Sequence, residues 1–403
     1  MIRRRQRFIT LAAFWLLATS AASCSSGNNQ QPDTTQDASD DSGTLKTDVT
    51  TEVSQELLTE SDVATSETDS SSTPQSLPRI PGEWEEQAAV WMQWPTKWEA
   101  SLRPDFGRII AVVQQYEPVH LLVLNDALEG NARTEIKTHG GDPDDVAYHV
   151  VPYDNSWLRD NGPVYVEGWD GLEVQDWGFD AWGGNFGAEI QFAQDDAVPA
   201  AIAELTGLSF KSHNSYILER GNLESNGVDT LILGWDCQED RNPDWSKAKT
   251  ERLFLEIFGA QKVIWVHGHD PADGTTGHID GIVRFVDEGT VAVARSLIPD
   301  DPFAQLMDDA ANTLAHSGFT VVRLDVPGLV KHKGVDLPAM YMNWLVGNGF
   351  VAAMAFGNQQ WDDNAKASLE QLYPDRDVHM IDTNELWLNG GGIHCVTNDQ
   401  PQE

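Results

Sequence analysis

The chain has 403 residues, with 63 acidic against 26 basic side chains and a formal charge of −37 at pH 7. Phosphate binding needs clustered Lys and Arg, so this balance excludes a nucleic-acid partner and favours a cationic small molecule or an arginine-rich peptide. An acidic surface kept for solubility gives the same charge, so charge alone names no ligand.

The opening stretch, MIRRRQRFITLAAFWLLATSAASC, has a basic start, an apolar run from Phe8 to Ala18, then small residues up to Cys24. This layout predicts a secretory signal over residues 1–24, too short to be a stable membrane span. A cysteine directly after Ala-Ala-Ser predicts a lipoprotein in which the Cys24 thiol is acylated, so that an exported protein is held to a membrane. The alternative is signal cleavage nearby without a lipid. Residues 25–78 are rich in Ser, Thr, Asp and Glu and poor in large apolar side chains. Such a stretch cannot offset its ordering entropy by burial, which predicts a disordered tether.

Residues 79–403 read as one globular domain. Runs with β-branched content predict strands at PVHLLVL, YHVVPY, GPVYVEG, VDTLILGW, QKVIWVHG, DGIVRFVD, GTVAVARS, FTVVRLDVP and GFVAAMAF. Helical spacing of apolar residues predicts helices at DFGRIIAVVQQY, DDAVPAAIAELTG, SKAKTERLFLEIFG, DPFAQLMDDAANTLAHSG and DNAKASLEQLYP. The alternation of the two predicts an α/β domain.

Four stretches combine acids, a histidine or a thiol with glycines: DNSWLRDNGPVYV, ILERGNLESNGVDTLI, DGTTGHIDGIVRFV and NGGGIHCVTNDQP. A cysteine protease needs Cys and His with at most one orienting acid, and this set has a surplus of acids. Several carboxylates suit a planar guanidinium, whose paired N–H donors match them. Its carbon is a poor electrophile, so attack calls for a thiolate, carboxylates that hold the cation, and an acid that protonates departing ammonia.

These motifs, in the order PGEWEEQAAVWMQWP, SWLRDNGP, ERGNLE, GHIDGIVRFV and GGGIHC, resemble the agmatine deiminase and Porphyromonas-type peptidylarginine deiminase family. The resemblance covers Pro81 to Gln402. It implies a five-bladed pseudo-symmetric α/β propeller of ββαβ units with a central active site. It also implies that Cys395 is the nucleophile and that His278 protonates the leaving ammonia and then activates water. Asp160 and Asp280 would grip guanidinium nitrogens, Glu219 would orient the imidazole, and Trp157 would pack on the substrate's aliphatic chain. Asn222 is a further substrate-binding candidate, and Gly391 and Gly392 would let the cysteine loop pass beside the ligand. An extended backbone would put His278 and Asp280 on one face. The implied reaction needs no metal or other cofactor. The implied substrate is agmatine, yielding N-carbamoylputrescine and ammonia. The alternatives are peptidyl-arginine and, from another class, an inactive binder of cationic peptides.

Other readings of the same residues stay open at the level of sequence. Cys237 and Cys395 could pair as a disulfide, although Cys237 reads better as structural. His267, His269 and His278 with nearby acids would be enough for zinc, but lack a compact ligand spacing. His394 reads as a packing or supporting residue, Asp154 as a turn cap, and an ion pair with Arg159 is the bland role for Asp160. The family pattern Glu-Gly-Gly-Asn is replaced by Glu219-Arg220-Gly221-Asn222. The Arg220 side chain is expected either to face solvent or to meet a substrate carboxylate.

Overall fold

The structure, a computed structural model, describes residues 77–271 and 273–403. The expected signal, Cys24 and residues 25–76 of the expected tether lie outside the described residues. No helix among the described residues is long and apolar enough to cross a membrane.

The described chain is a mixed α/β fold in which one construction recurs. Five sheets each contain an antiparallel pair whose second strand continues into a parallel pair. Parallel neighbours need a long crossover, and here each crossover carries a helix. Gln87–Gln93 runs parallel to Val119–Val123 across helix Arg103–Val113, and Val146–Val150 adds a further parallel strand. Val164–Gly168 and Gly171–Gly178 form a hairpin joined by helix Val198–Thr206 to the parallel strand Ser209–Ile217. The pattern repeats in Glu224–Ser225, Thr230–Gly234 and Lys262–Val266, with helices Trp235–Arg241 and Lys247–Phe258. It repeats again in Val283–Asp287, Thr290–Ser296 and Thr320–Val326 with helix Ala304–His316. Leu345–Gly347, Phe350–Ala355 and Asp377–Asp382 with helix Gln359–Leu372 complete the set. The antiparallel neighbour of Gln87–Gln93 is the terminal strand Asn398–Pro401, so the first sheet is closed by the last residues.

Local sequence accounts for these elements. In Lys247–Phe258 the Ser246 side chain accepts from Lys249 N and caps the start. Thr250, Phe254 and Phe258, four apart, fall on the buried stripe, and Gly259 at φ 62° ends the helix in the left-handed region. The central strand Thr230–Gly234 is buried at every position, as its unbroken apolar run demands.

All nine expected strands and all five expected helices are present. Helices Asp126–Thr138 and Trp235–Arg241 were not expected, nor were several strands, among them Gln87–Gln93, Gly171–Gly178, Asp377–Asp382 and Ser209–Ile217. The last of these reads SFKSHNSYI and is mostly exposed, so it has no apolar alternation to betray it; its pairing with Gly171–Gly178 defines it.

Candidate active site

The turn that precedes the first strand of each unit carries one of the converging polar groups. Asp160 sits on Leu158–Asn161, before Val164–Gly168. Glu219 leads into the turn Arg220–Asn222, before Glu224–Ser225. His278 and Asp280 flank Ile279 before Val283–Asp287, and Asn343 precedes Leu345–Gly347. Cys395 lies in the turn His394–Val396 before Asn398–Pro401. His278 and Asp280 therefore do not converge through strand alternation as expected. A 3-10 turn over Ile279–Gly281 brings them together.

The groups form a connected set. His278 Nε2 lies 2.6 Å from Glu219 Oε2, and Arg241 donates to both Glu219 oxygens at 2.8 and 3.2 Å. His278 Nδ1 is 3.6 Å from Asp160 Oδ1. Asp160 accepts from Gly221 N at 3.0 Å and from Trp182 Nε1 at 2.8 Å, and its expected bland partner Arg159 goes elsewhere. Asp280 Oδ2 accepts from Asn343 Nδ2 at 3.0 Å, lies 2.8 Å from His394 Nδ1 and 3.8 Å from Cys395 Sγ. Asn343 Oδ1 accepts from Cys395 N at 3.3 Å and lies 3.4 Å from its sulfur. Both described cysteines are free, so the Cys237–Cys395 disulfide is absent.

Two glycines make this crowding possible. A Cβ at Gly221 would stand 2.6 Å from His278 Nδ1, and one at Gly391 would stand 2.3 Å from the Trp157 ring and 3.2 Å from Cys395 Sγ. Gly392 is tight for another reason, since its Cβ would meet Asn343 Oδ1 at 2.4 Å. Trp157 is thus half-buried over the cysteine loop. A cavity lined by His278, Asp280, Asn343, Gly391 and Cys395 opens from the sulfur past Met340 and Trp387.

Burial and charge set the protonation states. Burial raises the Cys395 thiol well above its usual value, and the carboxylates of Asp280 and Asp160 push it further. Burial opposes a charged His278, yet Asp160, Cys237 and Glu219 outweigh it and hold the imidazole protonated well above its ordinary range. Burial would raise Glu219, but Arg241 and His278 keep it low. Asp160 is raised by burial and by the nearby charges of Glu219 and Asp280. Before a cation arrives the site therefore holds a neutral thiol beside an imidazolium.

Other expectations need correction. Arg220 faces neither solvent nor the cavity around Cys395; it is buried, donating to Asn398 Oδ1 at 2.7 Å and Asp399 Oδ2 at 2.8 Å. An unpaired buried guanidinium is costly, and Asp399 supplies the counter-charge. Asn222, expected to bind substrate, is not among the residues that line the cavity around Cys395; it donates to Gly234 O at 3.0 Å and accepts from Gly234 N at 2.8 Å, which holds the turn after Glu219. Asp154 accepts from Gln194, away from the cluster. The three histidines weighed for zinc do not assemble. His269 meets Asp236 at 2.9 Å, His267 meets Lys247 and lies 3.9 Å from the same Asp236, and His278 stands apart with Glu219. The one trio of ligand-type atoms that gathers among the described residues is Glu219, Cys237 and His278, within 4.8 Å of one another, with Arg241 already bound to Glu219. Cys237 is buried there, its thiol pushed up to about 11 by burial and by Glu219.

Sequence reasoning missed Asn343, Arg241, Trp182 and Glu83. Asn343 occupies the position before its strand that acids, histidine and cysteine occupy in the other units, a relation that emerges only from the repeated fold. Glu83 stood inside a quoted motif without a role.

A half-buried thiol, an imidazolium held by a carboxylate, Asp280 beside the sulfur and Asp160 beside the imidazole make a site suited to nucleophilic attack on a cation. The chain belongs to the Porphyromonas-type peptidyl-arginine deiminase family, whose profile matches residues 79–401. It is 30% identical over 369 residues to the agmatine deiminase of Pseudomonas aeruginosa, covering 82% of this chain and 98% of that one. The solved agmatine deiminase of Enterococcus faecalis matches with a TM-score of 0.72 and 26% identity, over 81% of this chain and 96% of that one. The agmatine deiminase of C. jejuni shares the fold at a TM-score of 0.70 and 19% identity, over 81% of this chain and 97% of that one.

Proposed function

We propose that the protein hydrolyses agmatine to N-carbamoylputrescine and ammonia through a covalent intermediate on Cys395. The observation that carries this reading is the placement of one free sulfur 3.8 Å from Asp280, in a cavity shared with His278. A guanidinium entering between Asp160 and Asp280 offsets the charges that keep the thiol protonated, so substrate itself favours the thiolate. The thiol gives its proton up to solvent, and the sulfur then attacks the guanidinium carbon. The C–N bond to one terminal nitrogen breaks as His278 gives it a proton, and ammonia leaves a thiouronium on Cys395. Neutral His278 takes a proton from water, the resulting hydroxide adds to the same carbon, and the C–S bond breaks to give the ureido product and the free thiol.

Agmatine is preferred over peptidyl-arginine because the sequence argument for a substrate carboxylate rested on Arg220, and Asp399 occupies that side chain. Among the described residues, no Lys or Arg lines the cavity around Cys395. A panel of agmatine, free arginine and a peptide with internal arginine, read by ureido product, tests the assignment; fastest turnover of the peptide would reverse it, and full activity in Cys395→Ala would remove the nucleophile.

The recurrence of five strand–strand–helix–strand units, each contributing one turn to the site, supports a five-bladed pseudo-symmetric arrangement about the active centre. The N-terminal sequence supports an exported lipoprotein acylated at Cys24. Detergent partitioning of the exported protein that is lost in Cys24→Ser is the expected result, and a wild type that never partitions refutes the anchor.

A further inference from the structure

His394 and Glu83 stand behind the reacting atoms, and the reaction above gives them no task. The His394 ring is buried, with Nδ1 2.8 Å from Asp280 Oδ2 and Nε2 2.8 Å from Glu83 Oε2. A carboxylate only accepts, so both contacts are hydrogen bonds only when the imidazole carries both protons. Glu83 is fixed in turn. Its Oε2 accepts from Arg284 Nη2 at 2.7 Å, its Oε1 accepts from Val346 N at 2.8 Å, and Arg159 Nη1 stands 4.0 Å away. Burial would raise Glu83, but Arg284, His394 and Arg159 outweigh it and keep the carboxylate ionised. Arg159 also reaches the turn itself, donating from Nε to the His394 carbonyl at 3.0 Å. On the other side, Asp280 Oδ2 is committed to His394 and Asn343, which leaves Oδ1 to meet a substrate nitrogen.

We propose that Glu83 and His394 are a positioning pair for the deimination: Glu83 keeps the His394 ring a cation, and that cation fixes the rotamer and the charge of Asp280. The inference rests on the deimination reading. The pair acts through Asp280 without touching substrate. A neutral His394 would have one proton for two carboxylates, and the contact to Asp280 or the contact to Glu83 would turn repulsive. The sulfur is affected as well, because an Asp280 charge shared with an imidazolium repels a forming thiolate less than a bare one does.

The test is Glu83→Gln, which keeps the shape and removes the charge. Burial works against the ionised form of Asp280, while the His394 contact first, and then the charges of His278 and Arg284, work for it, with the balance below the usual carboxylate range. Losing the cation therefore makes Asp280 protonate at higher pH. An opposite charge at this distance displaces a carboxylate titration by about one to three pH units. The acid limb of the kcat/KM profile for agmatine is expected to move up by about one unit, so that the rate on that limb falls about tenfold at fixed pH while the rate at neutral pH changes little from this cause. His394→Gln should give a similar displacement, and adding Glu83→Gln to it should move the limb no further. Ring 15N shifts measured at one pH should show both His394 nitrogens protonated in the wild type, as its two carboxylate contacts require, and only one in Glu83→Gln. A Glu83→Gln profile that superimposes on the wild type, with only a lower melting temperature, overturns the proposal; so does a neutral His394 ring in the wild type. If Glu83→Gln does not fold, His394→Gln carries the pH arm alone. A wild type that deiminates no guanidine would sink the functional reading instead, and the ring-protonation measurement would still decide this one.

Discussion

Replacing Asp280 by Asn should make Cys395 more reactive toward an alkylating agent while destroying turnover. Before substrate arrives the thiol is kept protonated by burial first, and then by the charges of Asp280 and Asp160. The nearer Asp280 oxygen lies 3.8 Å from Sγ. Two like charges about 4 Å apart repel by about 4 kcal/mol at an effective dielectric of about 20. His394 sits 2.8 Å from the same oxygen and cancels a share of that repulsion. A net relief of about 1.4 to 3 kcal/mol means about ten- to a hundredfold more thiolate at fixed pH. A less basic thiolate is also a weaker nucleophile, so alkylation should speed up by the smaller factor of about three to ten. The assay is iodoacetamide alkylation at about pH 7.5 followed by intact mass, with agmatine turnover measured in parallel. Cys237 is the internal control, since its thiol is fully buried and pushed up to about 11. An alkylation rate in Asp280→Asn equal to or below the wild-type rate would show that this carboxylate is not what holds the proton on sulfur.

Three further substitutions probe the supporting contacts. Glu219→Gln removes one of the groups that keep His278 protonated, so the alkaline limb of kcat should move to lower pH, with a loss of about a hundredfold or more in kcat. Stability read by thermal melts follows the same sign. The contribution of the raised imidazole is complete below its unfolded value and is lost as pH rises through its folded one. Glu219→Gln also removes the fully buried ionic partner of Arg241 while Asp240 stays paired with it at 2.5 Å, so the cost in denaturant unfolding should be about 1 to 3 kcal/mol. Gly391→Ala drives a methyl group to 2.3 Å from the Trp157 ring, which cannot yield without moving the cysteine loop, so kcat/KM should fall by about a hundredfold. Arg220→Met leaves Asp399 with Arg159 as its one cation; we expect a loss of about 3 kcal/mol in stability and an unchanged ranking of agmatine over arginine peptide. A shift of that ranking toward the peptide would show that Arg220 does reach substrate.

The site was legible where chemistry writes itself into adjacent letters. An acid, histidine or cysteine beside glycine marks a turn in which backbone and side chain crowd together, and Gly221 and Gly391 make that crowding explicit. The apolar runs were legible for the same local reason, because a strand buried on both faces, such as Thr230–Gly234, has no position for a polar residue. What could not be read depends on partners far away in sequence. Arg220 looked like a departure aimed at substrate, and its direction is set by Asp399, 179 residues on. Glu83 and His394 are separated by 311 residues, and neither has a local reason to be buried or charged. Asn343 is a lone amide in an apolar stretch, visible only once the repetition of the turns is known.

The position of the nucleophile near the end of the chain follows from the same long-range pairing. Terminal residues fray unless something ties them down. Here the strand Asn398–Pro401 completes the sheet begun by Gln87–Gln93, and Asp399 takes one arginine from each of two other turns, Arg159 at 2.8 Å and Arg220 at 2.8 Å. Asn398 accepts from Arg220 and donates to the carbonyls of Leu158 and Pro163, so the residue after Thr397 is bound to the units that carry Asp160 and Glu219. Cys395 lies three residues upstream of that clamp, and its loop is held on the other side by Asn343. The arginine that breaks the family pattern is therefore part of what fixes the sulfur, and its burial and the geometry of the thiol are one arrangement. Catalytic geometry here is bound up with ordering of the terminal strand. Any change that frees Asp399 from its arginines should cost activity before it costs the rest of the fold, because the strand it anchors makes its sheet contacts at an edge.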